Sequence, residues 1–196
     1  MTNSKFAEPF REFAAGRSGR PPISVVDDGT TNDENKLGAI GDLDLVIRRE
    51  GIDDDLLVAA GDSIFDGADL DEFARLGLEK QAPVEGVYDV GDLEAVKRYS
   101  AVTIDAESRI VSFEEKPEQP QSTLVGIALY FYPRSVLPLI RRYVEDGNNA
   151  DQPGRLVQWL YPKLPFYTWQ VPGRWYDIGS KETLEEANRA FSTQAL

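Results

Sequence analysis

The stretch LLVAAGDSIFD, residues 56–66, begins with an apolar run and turns acidic within a few residues. The leading run is typical of a buried β-strand, and Gly61-Asp62 follows it directly. In open α/β sheets, ligands bind beyond the carboxyl ends of the strands. Asp62 is therefore predicted at a ligand-binding edge, where Gly61 allows the backbone to approach a ligand closely.

Helical and strand patterns alternate along the rest of the chain. Apolar residues at helical spacing predict helices over residues 4–16, 36–51, 68–77, 92–99, 135–147, 154–163 and 181–191. β-Branched and aromatic runs predict strands over residues 21–29, 56–60, 82–90, 101–105, 109–116, 123–132 and 166–173. Ser4, Asp69 and Ser180 are the expected N-caps, and Gly16 is the expected end of the first helix. Pro138 fits only a first helical turn or a kink.

This alternation predicts an α/β fold with a mostly parallel sheet flanked by helices. A hairpin-rich insertion is expected around the turn AESR, residues 106–109. The 196 residues are enough to bury a substantial core, and no internal repeat or linker interrupts the pattern. We therefore expect a single domain over residues 1–196.

Composition excludes several kinds of chemistry. The chain has no histidine and no cysteine, which rules out Ser-His-Asp and Cys-His catalysis and leaves carboxylates as the only strong side-chain metal ligands. The absence of cysteine also fits a reducing cytoplasm, where we expect the protein to be. A formal charge of −13 opposes nucleic-acid binding but not the binding of small phosphorylated ligands. No apolar run reaches the length of a membrane span, so no membrane partner is expected.

A second aspartate has a setting like that of Asp62. Asp177 in GRWYDIGS, residues 173–180, follows a predicted strand, is flanked by aromatic residues and precedes Gly179. Two carboxylates from distant strand ends could share one Mg²⁺ ion, which binds oxygen and leaves positions for substrate phosphates. The structural alternative for each aspartate is a cap on a turn or on the following helix.

Two further stretches, FEEKP at residues 113–117 and KLGAIGD at residues 36–42, supply candidate binding residues. Lys116 lies at the end of a predicted strand, where it can meet a phosphate, and Glu115 can accept hydrogen bonds from sugar hydroxyls. The alternative for both is a solvated charge pair. Gly38 lies at the start of a predicted helix, where a glycine either admits a nucleotide base or eases packing.

Taken in order, these stretches resemble the sugar-1-phosphate nucleotidylyltransferases, also called NDP-sugar pyrophosphorylases, and glucose-1-phosphate thymidylyltransferase is the most similar type. The matching segments are LGAIGDL, LLVAAGDSIFD, FEEKP and GRWYDIGSKETLEEAN, within a resemblance from about Lys5 to Phe191. The resemblance implies a Rossmann-like nucleotide-diphospho-sugar transferase fold. It also implies that a sugar-1-phosphate oxygen attacks the α-phosphorus of a nucleoside triphosphate. No histidine base is required, because this nucleophile is already anionic.

The same resemblance implies a role for each candidate residue. Asp62 and Asp177 would hold Mg²⁺ as the cofactor. Lys116 would bind the sugar phosphate and complete the catalytic set with the two aspartates. Glu115 would bind the sugar hydroxyls, and Gly38 would face the nucleobase. The implied substrates are a sugar 1-phosphate and a nucleoside triphosphate, with dTTP or UTP expected.

The chain also departs from the family pattern. Ser100 and Ala128 stand where glycines are usual, so a side chain projects where the sugar would meet backbone. The family's first strand, glycine-rich loop and second strand have no counterpart here. We therefore expect an N-terminally truncated sheet, whose exposed apolar surface would favour homo-oligomers. A start codon assigned too late would explain this, and an in-frame glycine-rich segment upstream of Met1 would support that hypothesis.

Two functional classes remain open at this point. The first is a nucleotidyltransferase whose chain is catalytically incomplete, which the pair Asp62 and Asp177 favours. The alternative is a non-catalytic sugar-phosphate- or nucleotide-binding or assembly module derived from the same fold, which Ser100 and Ala128 favour.

Overall fold

A computed structural model describes residues 1–17 and 21–192 of the chain. The chain divides into two compact units. The first unit consists of Met1–Asp54 and Leu137–Leu156, and the second consists of Asp55–Val136 and Val157–Leu196.

Within the described residues, helices form wherever the sequence pattern predicts them. They are α1 (Ala7–Ala15), α2 (Ala39–Arg49), α3 (Leu70–Lys80), α4 (Leu93–Val96), α5 (Leu137–Glu145), α6 (Gly154–Leu160) and α7 (Lys181–Ser192). The strands are β1 (Leu56–Ala59), β2 (Ser63–Asp66), β3 (Val84–Asp89), β4 (Ser100–Ile104), β5 (Ile110–Glu115), β6 (Leu124–Tyr132), β7 (Tyr167–Gln170) and β8 (Arg174–Asp177). A short 3₁₀ helix, Arg134–Val136, precedes α5. No helix in this part of the chain has both the length and the apolar content that a bilayer crossing requires.

The start of α1 differs from the expectation. The N-cap of α1 is Phe6, which makes no side-chain capping bond, so the prediction that Ser4 caps this helix is wrong. The Ser4 hydroxyl instead donates a hydrogen bond of 2.7 Å to Oδ1 of Asp27. Gly16 is the C-cap, as predicted.

The strand expected over residues 21–29 is absent. Only an isolated parallel bridge joins Thr2 to Asp27. The Asp27 carboxylate accepts a bond of 2.9 Å from the backbone N–H of Gly29, which turns the chain locally. Side-chain bonding to the backbone therefore takes the place of a strand ladder in this segment.

The helices α2 and α5 pack together in the first unit. Ile40 of α2 and Ile140 of α5 are fully buried. Pro138 lies in the first turn of α5, where its missing N–H costs no helical hydrogen bond. This is one of the two positions that the sequence allowed for it.

The second unit contains the main sheet, with strand order β5-β4-β6-β3-β7 and with β1 also paired to β6. The α/β class is confirmed, but the pairing corrects the expected mostly parallel sheet. Only β3 and β7 pair in parallel among the described strands, and the other ladders are antiparallel. One reason is the tight turn between β4 and β5, since a turn this short can join only antiparallel strands.

The apolar face of this sheet is covered by α3. The N-cap of α3 is Asp69, whose carboxylate accepts from the backbone N–H groups of Asp71 and Glu72, as expected. The Ser180 hydroxyl likewise caps α7 by accepting from the Thr183 N–H at 3.2 Å. The buried cluster to which Phe73 of α3 belongs also contains Val84, Val96, Val125, Ile127, Leu129, Phe131, Trp169 and Val171.

A separate two-stranded sheet pairs β2 with β8, and the sequence pattern predicted neither strand. The two strands are antiparallel, with Ser63 opposite Asp177 and Asp66 opposite Arg174. Each strand has only four residues. This small sheet joins segments about 110 residues apart in sequence and positions the candidate site.

Candidate active site

The two candidate metal ligands lie at the same end of the β2–β8 sheet. Asp62 immediately precedes β2, and Asp177 is the last residue of β8, opposite Ser63. The backbone N–H of Ile178 donates a hydrogen bond of 2.8 Å to the backbone carbonyl of Asp62. The structure therefore brings together the two aspartates that the sequence singled out.

Gly61, the residue before this pair, has open space where a side chain would begin. No heavy atom lies within 4 Å of the position that a Cβ would occupy. Gly61 also lacks the positive φ at which glycine is favoured over other residues. The fold itself thus places no evident demand for glycine here.

Lys116 follows β5 in an unusual backbone conformation. Its φ is +51°, in the left-handed region that side chains other than glycine seldom adopt. Its N–H donates a bond of 2.8 Å to the backbone carbonyl of Tyr99, and Pro117 after it is buried. These contacts hold Lys116 at the end of its strand, with its side chain exposed.

Tyr99 connects Lys116 to Asp177. Burial of the Tyr99 ring and the nearby negative charge of Asp177 both raise the pKa of its hydroxyl. Trp175 packs edge-on against the Tyr99 ring, with centroids 5.2 Å apart. The indole N–H of Trp175 donates a long hydrogen bond of 3.4 Å to the hydroxyl of Ser63. Neither aromatic residue was a candidate from the sequence, although the aromatic flanks of Asp177 were a visible signal.

Glu115, the candidate sugar-binding residue, is already hydrogen bonded within the chain. The hydroxyl of Ser100 donates a bond of 2.6 Å to Oε2 of Glu115. The two residues are direct cross-strand partners between β4 and β5, and Ser100 is buried. Ser100, which departs from the family pattern, thus contacts Glu115, the residue expected to bind the sugar.

A second glutamate, Glu85 on β3 of the same sheet, is fully buried, and no sequence motif marked it. Glu85 on β3 has no exposed surface, and its carboxylate packs so closely on Gly126 that a Cβ there would lie 2.5 Å from Oε1. The Tyr130 hydroxyl lies beside it, but no hydrogen bond of regular geometry reaches either oxygen among the described residues. Burial, and secondly the charge of Glu115, raise the pKa of Glu85 well above its usual value. The signal for Glu85 in the sequence was a single acidic residue within the apolar run APVEGV, residues 82–87.

A cavity of about 430 Å³ opens beside Asp177 in the second unit. Its walls carry aromatic rings, two arginines and two carboxylates. The lining residues are Tyr88, Val90, Ala95, Arg98, Tyr99, Arg174, Trp175, Tyr176, Asp177, Thr183 and Glu186. Its volume falls within the range typical of small-molecule sites.

Gly38 belongs to the first unit, whereas the other candidate residues belong to the second. It is the N-cap of α2 with φ +78°, and a Cβ there would lie 2.5 Å from the backbone carbonyl of Ala150. The N–H of Ile40 also donates to this carbonyl at 2.9 Å. Close approach of backbone within the first unit is therefore one sufficient reason for glycine at this position.

The donor set near Asp62 fits a magnesium ion. No group of three or more acidic residues in the described part of the chain lies close enough to form a complete metal cage. Magnesium, however, is usually held by one or two carboxylates, with substrate phosphates and waters completing its shell. Asp62 and Asp177, whose backbones are held close together, supply the two carboxylates that this requirement allows.

The sequence profile of one known family covers almost the whole chain. Residues 3–194 match the sequence profile described as Nucleotidyl transferase. The glucose-1-phosphate adenylyltransferase of Thermomicrobium roseum is 29% identical over 139 residues, which cover 70% of this chain and 32% of that protein.

The fold is shared with solved structures of UDP-glucose pyrophosphorylase. The apo enzyme superimposes with a TM-score of 0.72 at 21% identity, covering 88% of this chain and 64% of that chain. A complex with UDP-glucose gives a TM-score of 0.68 at 20% identity, covering 80% of this chain and 63% of that chain. The chain thus spans about a third of the adenylyltransferase and just under two thirds of each pyrophosphorylase.

Proposed function

Because the chain belongs to the Nucleotidyl transferase family, we propose that it serves transfer of a nucleoside monophosphate from a nucleoside triphosphate to a sugar 1-phosphate. Residues 1–196 would act as one nucleotidyltransferase domain. The observation that carries the proposal is the backbone hydrogen bond between Ile178 and Asp62, which holds the two candidate metal ligands at one sheet end. These are the same two residues to which the family resemblance assigns the metal.

The reaction needs no proton transfer from the protein. An oxygen of the sugar phosphate forms a bond to the α-phosphorus, and the bond from that phosphorus to the oxygen bridging to the β-phosphate breaks. Pyrophosphate leaves with the electron pair, and the product is an NDP-sugar. A chain without histidine can support this chemistry, because catalysis depends on positioning and on neutralising phosphate charge.

Asp62 and Asp177 would hold Mg²⁺ between them. When bound, the ion supplies positive charge that neutralises the phosphates of both substrates. The aspartates themselves need only be ionised and correctly oriented. The β2–β8 ladder supports that orientation because it fixes the backbone on which both side chains are carried.

Lys116 and Glu115 would divide recognition of the sugar 1-phosphate. The backbone of Lys116 is held by its bond to Tyr99, which fixes where the exposed side chain begins, and that side chain would bind the sugar phosphate. Oε1 of Glu115 would accept a sugar hydroxyl, because Oε2 is engaged by Ser100.

The nucleotide is proposed from the family resemblance and not from contacts within the structure. We propose that Gly38 faces the nucleobase and that dTTP or UTP is the donor, on the family resemblance alone. The cytoplasmic location remains a prediction from the cysteine-free composition. Homo-oligomer formation likewise remains a prediction.

A second candidate function is a non-catalytic module that binds a sugar phosphate or a nucleotide without turnover. The Ser100–Glu115 hydrogen bond favours it, because this bond engages one oxygen of Glu115 and so changes how a bound sugar would be placed for reaction. A catalytically incomplete nucleotidyltransferase would also bind its substrates without turnover in an assay. The two candidate functions differ in turnover and share the binding residues.

The test is pyrophosphate release by the chain with Mg²⁺, glucose 1-phosphate and each nucleoside triphosphate in turn. Asp62→Asn and Asp177→Asn should abolish release, whereas Asp71→Asn, an exposed acid at the start of α3, should not. No release by the unaltered chain, together with binding of glucose 1-phosphate that Lys116→Ala removes, would support the non-catalytic module. Release that survives both aspartate variants would contradict the proposed metal site.

A further inference from the structure

The cavity beside Asp177 has walls suited to a sugar ring. Trp175 lines it, packed edge-on against Tyr99 at 5.2 Å and tilted against Tyr88 at 6.0 Å. Aromatic faces of this kind offer apolar surface to the C–H groups of a sugar and leave its hydroxyls to polar neighbours. The Glu186 carboxylate on the opposite helix, α7, can accept from such hydroxyls.

Two arginines line the same cavity from different elements. Arg98 follows α4, and its guanidinium stacks on the ring of Tyr99 at 5.8 Å. Arg174 begins β8 and donates a weak bond of 3.5 Å to the hydroxyl of Tyr176. Asp66, the cross-strand partner of Arg174, attracts it at longer range.

Neither arginine is engaged by a carboxylate of the chain in direct contact. Within residues 1–17 and 21–192, neither Arg98 nor Arg174 forms an ion pair. Both guanidinium groups therefore retain N–H donors that an anionic ligand could use, and both residues line the cavity.

The cavity is linked to the candidate active site through two residues, Asp177 and Tyr99. Asp177, a candidate metal ligand, forms part of its wall. Tyr99 forms another part and accepts the backbone hydrogen bond from Lys116 through its carbonyl. A sugar whose phosphate is bound by Lys116 can thus extend along Tyr99 into the cavity.

We propose that the cavity accommodates the end of the sugar remote from its 1-phosphate, and that Arg98 and Arg174 there bind a second anionic group. The substrate class is then an acidic sugar 1-phosphate, one carrying a carboxylate or a second phosphate. This inference rests on the proposed function and specifies its substrate. Guanidinium groups suit it because each can bind carboxylate or phosphate oxygens through two parallel N–H donors.

The experiment measures binding of glucose 1-phosphate, glucuronic acid 1-phosphate and glucose 1,6-bisphosphate by calorimetry in the presence of Mg²⁺. The acidic sugars should bind about tenfold or more tightly than glucose 1-phosphate, because charged hydrogen bonds are gained. Arg98→Gln/Arg174→Gln should remove this preference, so that the neutral and the acidic sugar phosphates bind with similar affinity. Arg75→Gln, an exposed arginine of α3, is the control and should keep the preference.

Free glucuronate, which lacks the 1-phosphate, separates a substrate site from an effector site. It should compete with glucuronic acid 1-phosphate if the proposal is correct. Free glucuronate that binds at the same time as glucuronic acid 1-phosphate, without competing with it, would overturn the proposal. Equal affinity for neutral and acidic sugars, combined with binding of glucose 1-phosphate that depends on Lys116, would overturn this inference alone. Absence of binding by every sugar phosphate would contradict the proposed function as well.

Discussion

The hydroxyl of Ser100 donates a hydrogen bond of 2.6 Å to Oε2 of Glu115, across the β4–β5 ladder. This bond couples the residue that departs from the family pattern to the residue expected to bind the sugar. A carboxylate can accept hydrogen bonds at both oxygens, so Glu115 retains Oε1 for a ligand. The pair therefore modifies the candidate sugar site without closing it.

Ser100→Ala should raise the affinity for glucose 1-phosphate by up to about tenfold, because a hydrogen bond to a charged group that competes with the ligand is lost. Calorimetric titration of both chains with glucose 1-phosphate measures the change. Glu115→Gln is the matched variant, and it should weaken binding of glucose 1-phosphate both alone and in combination with Ser100→Ala. A loss of affinity in Ser100→Ala would show that the hydroxyl itself assists the sugar.

Sequence patterns predicted the helices well because their signals are local. Asp69 and Ser180 cap their helices as expected, since a capping side chain bonds to backbone two or three residues away. Ser4 failed as a cap because Asp27, 23 residues further on, accepts its hydroxyl instead. A partner so distant in sequence leaves no periodic signal.

Glu85→Gln should make stability less dependent on pH. The folded chain keeps Glu85 neutral at a pH where the unfolded chain ionises it, because burial and Glu115 raise its pKa. Tyr130 and Tyr132 of β6 are the other titratable groups beside it. Stability linked to neutral Glu85 is present below the ordinary pKa of 4.5 and is lost as the pH rises toward the raised value.

Urea unfolding at pH 4.5 and at pH 8 measures this effect. The Glu85→Gln chain should lose less stability than the unaltered chain over that interval. Glu79→Gln, an exposed acid of α3, should follow the unaltered chain. Equal losses in all three chains would mean that Glu85 ionises in the folded state as easily as in the unfolded state.

Gly61→Ala separates a structural glycine from one that a ligand requires. The added Cβ meets no atom within 4 Å, so the free energy of unfolding should change by no more than about 0.5 kcal/mol. Affinity for the nucleotide and the sugar phosphate should fall, because the methyl group enters the space beside Asp62. Urea unfolding and calorimetry on the same sample measure both quantities.

Gly77→Ala provides the contrast for this variant. A Cβ at Gly77 would lie 2.2 Å from Cδ1 of Phe131, so this substitution should destabilise the fold by about 1–3 kcal/mol. If Gly61→Ala destabilises the chain to a similar degree, Gly61 serves the fold. If Gly61→Ala leaves both stability and binding intact, no ligand approaches at this point.

The site could be predicted only where a motif carried it. Asp62 and Asp177 could be predicted as candidates because each follows an apolar segment in a recognisable motif, and the structure places Asp62 just before β2 and Asp177 at the end of β8. The strands β2 and β8 were missed because four-residue pairings between distant segments have no periodicity of their own. The mostly antiparallel pairing was missed for a related reason, since alternation of strands and helices does not specify strand direction.

The most direct test of the account is the binding of Mn²⁺, standing in for Mg²⁺, measured by electron paramagnetic resonance with a nucleoside triphosphate and glucose 1-phosphate present. We predict one bound ion per chain that depends on the protein, lost in both Asp62→Asn and Asp177→Asn and retained in Asp71→Asn. Bound Mn²⁺ that is unchanged in both variants, or lost in only one of them, would contradict a metal site shared by Asp62 and Asp177.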